Sequence, residues 1–149
     1  MRRALVYVVF LAVVLGGGLT IGSLTRPDDW YAALAKPPFN PPGWVFGPVW
    51  TLLYIMIAVA GARTYEAATG RKMGLWIAQL ALNFLWSPVF FGLHWPGVAL
   101  AIIVALILVI SAFVRACWLT DRVSALLFVP YGIWVAFAIL LNASIVVLN

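Results

Sequence analysis

An all-α membrane protein, a bundle of five transmembrane helices with a long structured loop between its first and second spans, is the fold class the sequence predicts. Two observations lead there. Of the 149 residues 66% are hydrophobic and 9% charged, against roughly 45–50% and 25% in soluble domains. The apolar residues also gather in five runs that each approach the ~20 residues a helix needs to cross a bilayer core. No soluble fold hides so much apolar surface at this length, so residues 1–149 are read as one domain that folds in lipid.

The chain opens as Met1-Arg2-Arg3 followed by an apolar run from Ala4, which resembles a signal peptide. The apolar character continues past Gly16-Gly17-Gly18 to Leu24 with no A-x-A cleavage pattern, so this segment is read as a retained first span. Further spans follow at Trp44 to Tyr65, Met73 to Leu93, Gly97 to Trp118 and Val123 to Leu148. Three of them hold a proline among aromatics, Pro48, Pro88 and Pro130. An interior proline removes a hydrogen bond from the carbonyl four residues earlier, here Trp44, Phe84 and Leu126, and such bends widen the space between helices.

Most connections are short, which makes consecutive spans antiparallel neighbours, but Thr25 to Gly43 is long for so compact a chain. Within it Asp28 can cap a short helix whose apolar face carries Trp30, Tyr31 and Leu34, and Pro37 would stop that helix. The Pro37-Pro38-Phe39-Asn40-Pro41-Pro42 run that follows is stiff and extended. Together these parts predict a rigid lid on the outer membrane surface.

The net charge of +5 comes from basic residues scattered in the connections without a stripe, which argues against a nucleic-acid partner. Topology accounts for them better. Arg2, Arg3, Arg63, Arg71, Lys72, Arg115 and Arg122 fall on one side, Arg26 and Lys36 on the other, a bias of seven to two among the nine. The positive-inside rule then puts the N-terminus in the cytoplasm and the C-terminus outside. Helical spans argue against an outer-membrane barrel, so a bacterial inner membrane is the default location.

Conventional catalysis finds no support. Cys117 is the only cysteine, which excludes an intrachain disulfide and a CxxC redox pair. His94 stands alone in a tight turn and reads as a surface histidine rather than a haem ligand. No His, Cys or carboxylate cluster suggests a metal site, and no catalytic triad or carboxylate pair lies within the spans. Arg63, Glu66 and Arg115 fall near span ends where they can snorkel, which disfavours an ion-coupled pump.

Candidate binding residues come from polar and aromatic side chains at depth. Gln79, Asn83 and Ser87 recur at intervals of four and form one polar stripe on the third span. Interhelical hydrogen bonding and ligand contact are both open to Asn83, and likewise to Asn142 on the fifth span; for Gln79 hydrogen bonding is the better reading. Trp50 lies six residues inside its span, about 9 Å at the helical rise, and Asn83 and Trp134 lie near the midplane. With Trp86, Phe90 and the four-spaced Trp134, Ala138 and Asn142, these side chains can line one cavity beneath the first loop. Trp30, Trp44, Trp95 and Trp118 are placed to form interfacial belts, whereas Trp50 and Trp134 are too deep, leaving packing or a flat aromatic ligand to explain them. The small-residue pairs Gly18/Gly22, Ala58/Ala62 and Gly74/Ala78 permit close helix contact, within one chain or across a dimer.

Trp30-Tyr31, Leu34-Ala35-Lys36-Pro37, Asn40-Pro41-Pro42-Gly43-Trp44, Phe46, Trp50 and Tyr54 together resemble the signature of the TspO family, bacterial relatives of the mitochondrial translocator protein or peripheral benzodiazepine receptor. The resemblance continues through Leu82 to Gly92 and Val129 to Ala138, and so covers nearly the whole chain. It implies a five-helix bundle, often a homodimer, whose pocket under the first loop binds porphyrins such as protoporphyrin IX and haem, and synthetic hydrophobic aromatic ligands. The family's pocket positions fall on Tyr31, Phe46, Trp50, Asn83, Phe90, Trp134 and Ala138. Trp50 and Trp134 match the pair linked to light-dependent porphyrin breakdown in some relatives, the only catalytic role the resemblance implies.

A porphyrin is a flat aromatic disc whose face can lie on indole rings while its propionates reach the wet rim, and as a ligand it requires no further cofactor. The cholesterol-recognition motif of animal relatives is not carried over, because no Lys or Arg follows Arg122. The expected function is a membrane-embedded porphyrin-binding sensor or regulator of tetrapyrrole metabolism, with transport or photochemical degradation as outputs of the same pocket. Its rivals are a small exporter of hydrophobic compounds and a membrane scaffold without a pocket.

Overall fold

The computed structural model describes residues 1–68 and 70–149. Helix α1 (Arg2–Leu24) is followed by the short α2 (Asp29–Ala33), and a 3₁₀ turn at Gly43–Val45 leads into α3 (Phe46–Glu66). Helix α4 (Gly70–Ser87) runs on into a π-helical turn at Pro88–Gly92, and α5 (Pro96–Cys117) and α6 (Arg122–Leu148) complete the chain. Five of these helical stretches are long and apolar enough to cross a membrane, and the described residues contain no strand. The protein is a five-helix membrane bundle.

The helices form a ring in the order α1, α3, α6, α5, α4 and back to α1. Helices α4 and α6 are not close backbone neighbours; they are joined instead by polar and aromatic side chains that span the middle of the ring. In lipid, burial from water does not drive helices together, so tight packing and interhelical hydrogen bonds must do it. Both are visible. A β-carbon on Gly18 would run into the Tyr54 ring, and one on Gly61 into the Trp76 indole. Each glycine thus seats an aromatic ring from a neighbouring helix, and Trp76 fixes its position further by donating to the Ile57 carbonyl at 2.9 Å. Ala58 and Ala62 are likewise fully buried within the chain, whereas nothing approaches Gly22 or Gly74.

The three prolines have three different outcomes. Pro48 is the third residue of α3, in the first turn, where no interior hydrogen bond is lost; the expected defect at Trp44 therefore does not arise, since Trp44 belongs to the preceding 3₁₀ turn. Pro88 begins the π-helical turn, closed by Leu93 N–H donating to the Pro88 carbonyl at 2.9 Å. Pro130 lies inside α6, which continues through it.

The two ends of the bundle group the connections as the charge pattern predicts. At one end Arg3 approaches Glu66 at 3.8 Å, Arg63 bonds Asp121 at 2.8 Å, and Lys72 donates to Thr120. Burial pushes the Asp121 carboxyl up, but hydrogen bonds from Arg63 and Ser124 win and hold it below the usual carboxylate value. The other end carries Asp28, Lys36, His94 and Asn149 in contacts of the first loop.

Candidate functional site

The lid is built as its sequence suggests. Asp28 caps α2 by accepting from the Tyr31 N–H at 3.2 Å, and that bond holds its carboxyl below the usual value, with His94 adding to the effect against desolvation. Leu34 is extended and closes the helix, and Pro37 is buried beyond it. Trp30, Tyr31 and Leu34 turn the same way onto the buried Val89, Phe90, Ala99 and Ile145. Tyr31 packs edge-on against Phe90 and Phe91, and burial pushes its phenol up.

Two polar latches hold the lid. His94 Nε2 lies 3.1 Å from Asp28 Oδ2, and its ring stacks on Trp30 with centroids 4.2 Å apart and planes within 10°. His94 is a surface residue as expected, but one with a structural task that isolation in sequence concealed. At the other edge, Asn149 accepts from the Ala35 N–H at 3.0 Å and donates to the Ala35 carbonyl at 2.9 Å. A single side-chain amide thereby satisfies both polar groups of one lid residue, much as a paired strand would.

Beneath the lid the candidate residues fall into two adjoining groups. Tyr31, Trp86, Phe90 and Asn142 form the first. Trp86 stacks on Phe90 at 5.1 Å and donates its indole N–H to Asn142 at 3.0 Å, while Asn142 donates to the Pro96 carbonyl at 2.9 Å. Asn142 therefore ties α4, the start of α5 and α6 together. Phe46, Trp50, Asn83, Trp134 and Ala138 form the second. Trp134 packs edge-on against Phe46 at 5.8 Å and meets Phe137 at 5.7 Å, and Trp50 lies 5.5 Å from Tyr54 and 6.5 Å from Tyr131. Trp86 contacts both surrounding clusters and is the hinge between the groups.

The floor of the second group is a chain of hydrogen bonds. Tyr131 donates to Gln79 at 2.9 Å, Asn83 donates to the Tyr131 oxygen at 2.7 Å, and Tyr54 donates to Asn83 at 3.4 Å. Ser87, the last member of the polar stripe, pairs with Thr25 at 2.6 Å. The stripe on α4 thus reaches α6, α3 and the end of α1 in turn. Two buried donors in this region have no partner among the described residues, Gln79 Nε2 and the Trp134 indole nitrogen.

Tyr54, Tyr131, Trp30, His94 and Asn149 are members of this site that were not among the candidate binding residues. Tyr131 carried a signal, because a phenol deep in a span needs a hydrogen-bond partner. Trp44, Trp95 and Trp118 are exposed, as an interfacial belt requires, but Trp30 is half-buried under its own lid. Two clefts of about 390 Å³ lie elsewhere. One, between Arg71, Ala112, Arg115 and Ala116, is at the basic end; the other runs beside the lid between Pro37 and Pro38 on one side and Ala143, Ser144, Val147 and Leu148 on the other.

Comparison with known proteins agrees with this architecture along nearly its whole length. The TspO/MBR family profile matches residues 8–148. The chain is 40% identical to the tryptophan-rich sensory protein of Cereibacter sphaeroides over 144 residues, covering 96% of this chain and 90% of the relative. It is 40% identical to the tryptophan-rich protein TspO of Archaeoglobus fulgidus over 125 residues, covering 82% and 81%. It is 36% identical to the translocator protein of Homo sapiens over 119 residues, covering 76% and 70%. A profile match across the chain, relatives at 36–40% identity and a bundle of five membrane-spanning helices lead to one conclusion: the chain belongs to the TspO/MBR family.

Proposed function

We propose that this protein is a membrane-embedded receptor for porphyrins that senses tetrapyrrole levels and regulates their metabolism. The observation that carries the reading is the surroundings of Trp134: a buried indole N–H without a partner among the described residues, flanked by Phe46 and Phe137. An unmade hydrogen bond on a buried donor costs about 1–3 kcal/mol, and a ligand that brings an acceptor removes that cost while its flat face takes up the aromatic surface. Protoporphyrin IX and haem combine such a face with acceptors at the rim. The aromatic side chains pack on one another when the lid is shut, so binding requires the lid to move.

Sensing needs only saturable binding. Transport needs more, and the name of the human relative, translocator protein, favours it as the second reading; a small exporter would move substrate across sealed vesicles along a gradient. Light-driven porphyrin breakdown at Trp50 and Trp134 is a third output of the same pocket. The setting proposed for all of them is a bacterial inner membrane, with the bilayer as the first partner and a homodimer as the assembly.

Titrating purified protein with protoporphyrin IX and following tryptophan fluorescence tests the reading. Saturable quenching at a fixed stoichiometry is expected. Quenching that rises linearly, with the same slope as for free tryptophan in detergent, would leave a scaffold without a pocket.

A further inference from the structure

The cleft at the basic end is formed where α4 begins and α5 ends, and Arg71 and Arg115 both line it. Of the other basic side chains at this end, Arg3 approaches Glu66, Arg63 bonds Asp121, Lys72 bonds Thr120 and Arg122 holds the Trp118 carbonyl and ring, while Arg2 does not line the cleft. Among the described residues no carboxylate lies within ion-pairing distance of Arg71 or Arg115. Two like charges on one cleft repel each other, and an anion between them turns that repulsion into attraction.

The walls say which anion. Ala112 and Ala116 are one turn apart on α5 and too short to fill the groove, and one turn further along Leu108 is 65% exposed. An exposed apolar side chain thus continues the same face of α5 beyond the cleft, where an acyl chain can lie. A free phosphate gains nothing from that surface. We propose that this cleft binds the phosphate of an anionic membrane phospholipid, clamped by Arg71 and Arg115 with its chain lying along α5. Guanidinium groups suit the role because they grip phosphate oxygens two at a time.

Native mass spectrometry of the full-length protein tests this, comparing retention of phosphatidylglycerol and phosphatidylcholine. Phosphatidylglycerol should be retained preferentially, about fivefold less in Arg71→Gln or Arg115→Gln and roughly thirtyfold less in the double variant, on the scale of one basic residue at a membrane surface. Ala112→Leu keeps both charges but fills the cleft, and it should lose retention too. Arg2→Gln, at the same end but outside the cleft lining, should retain lipid as wild type does, and circular dichroism should show equal helicity throughout. Inorganic phosphate at millimolar concentration should not displace the lipid. Equal losses in Arg2→Gln and the double variant would show diffuse surface charge and overturn the site. Displacement by inorganic phosphate, without preference between the two lipids, would assign the cleft to a soluble anion and overturn the lipid.

Discussion

Tyr131 places a phenol near the midplane of a membrane helix, where only protein can supply its hydrogen bonds. It uses its hydroxyl twice, toward Gln79 and from Asn83. Tyr131→Phe keeps the ring but strands both amides, at a cost of about 1–3 kcal/mol for a buried polar group left unsatisfied; the thermal midpoint in detergent should fall, and an unchanged midpoint would show that the network adds no stability. The four-residue spacing of Gln79, Asn83 and Ser87 made the stripe legible, but not its partners, because sequence does not fix helix rotation. Trp50 and Trp134 are the residues on which ligand chemistry is proposed to turn. Phe in either place preserves an apolar ring but loses the N–H and the photo-oxidisable indole. Porphyrin affinity in the dark should weaken by roughly 1 kcal/mol, the scale of one aromatic contact, while any bleaching of bound porphyrin under illumination should fall much further. Variants that bind and bleach like wild type would make both tryptophans ordinary packing residues.

The lid is the element whose local structure was most legible and whose attachment was least so. Its cap and its apolar face are local, and both are observed; the helix ends at Leu34, three residues ahead of the proline expected to stop it. Its latches join residues distant in sequence, Asp28 to His94 and Ala35 to Asn149, across separations of 66 and 114 residues, and no local pattern announces them. Replacing Pro41 and Pro42 with Gly should loosen the segment through its freed backbone, and Asn149→Ala should release its far edge. Both should weaken porphyrin binding with helical content retained, since the lid is proposed to close the pocket rather than support the bundle; wild-type affinity in both would remove the loop from the site. The Asp28 latch has a defined pH dependence. Its folded-state value is lowered, so its contribution is present above the ordinary carboxylate range and is lost as pH falls through the lowered value. Acid should therefore open this edge of the lid first, seen as a lower hydrogen-exchange protection factor at Tyr31, referred to the intrinsic rate at each pH.

At the scale of the whole molecule, five apolar runs made the spans plain, while the ring order that sets α4 across from α6 depends on side-chain packing no hydropathy pattern records. Seating Trp76 over Gly61 is one such contact, and neither residue stands out in sequence. Orientation, by contrast, is a property of the connections. The structure places the N-terminus with the second and fourth connections at one end, and the lid with Asn149 at the other. Seven of the nine basic residues therefore share one end, which the positive-inside rule assigns to the cytoplasm. A reporter fused after Asn149 reads that assignment. Alkaline phosphatase should be active there and green fluorescent protein dark. The opposite pattern would turn the molecule over, so that the lid would admit its ligand from the cytoplasm and the arginine cleft would face the outer leaflet. Transferring two basic residues from the N-terminal end to the first loop provides the complementary experiment. If charge sets orientation, the change narrows the bias from seven against two to five against four, and a mixed population should appear in both reporters. A bundle that keeps a single orientation would show that helix packing, rather than loop charge, fixes its direction in the membrane.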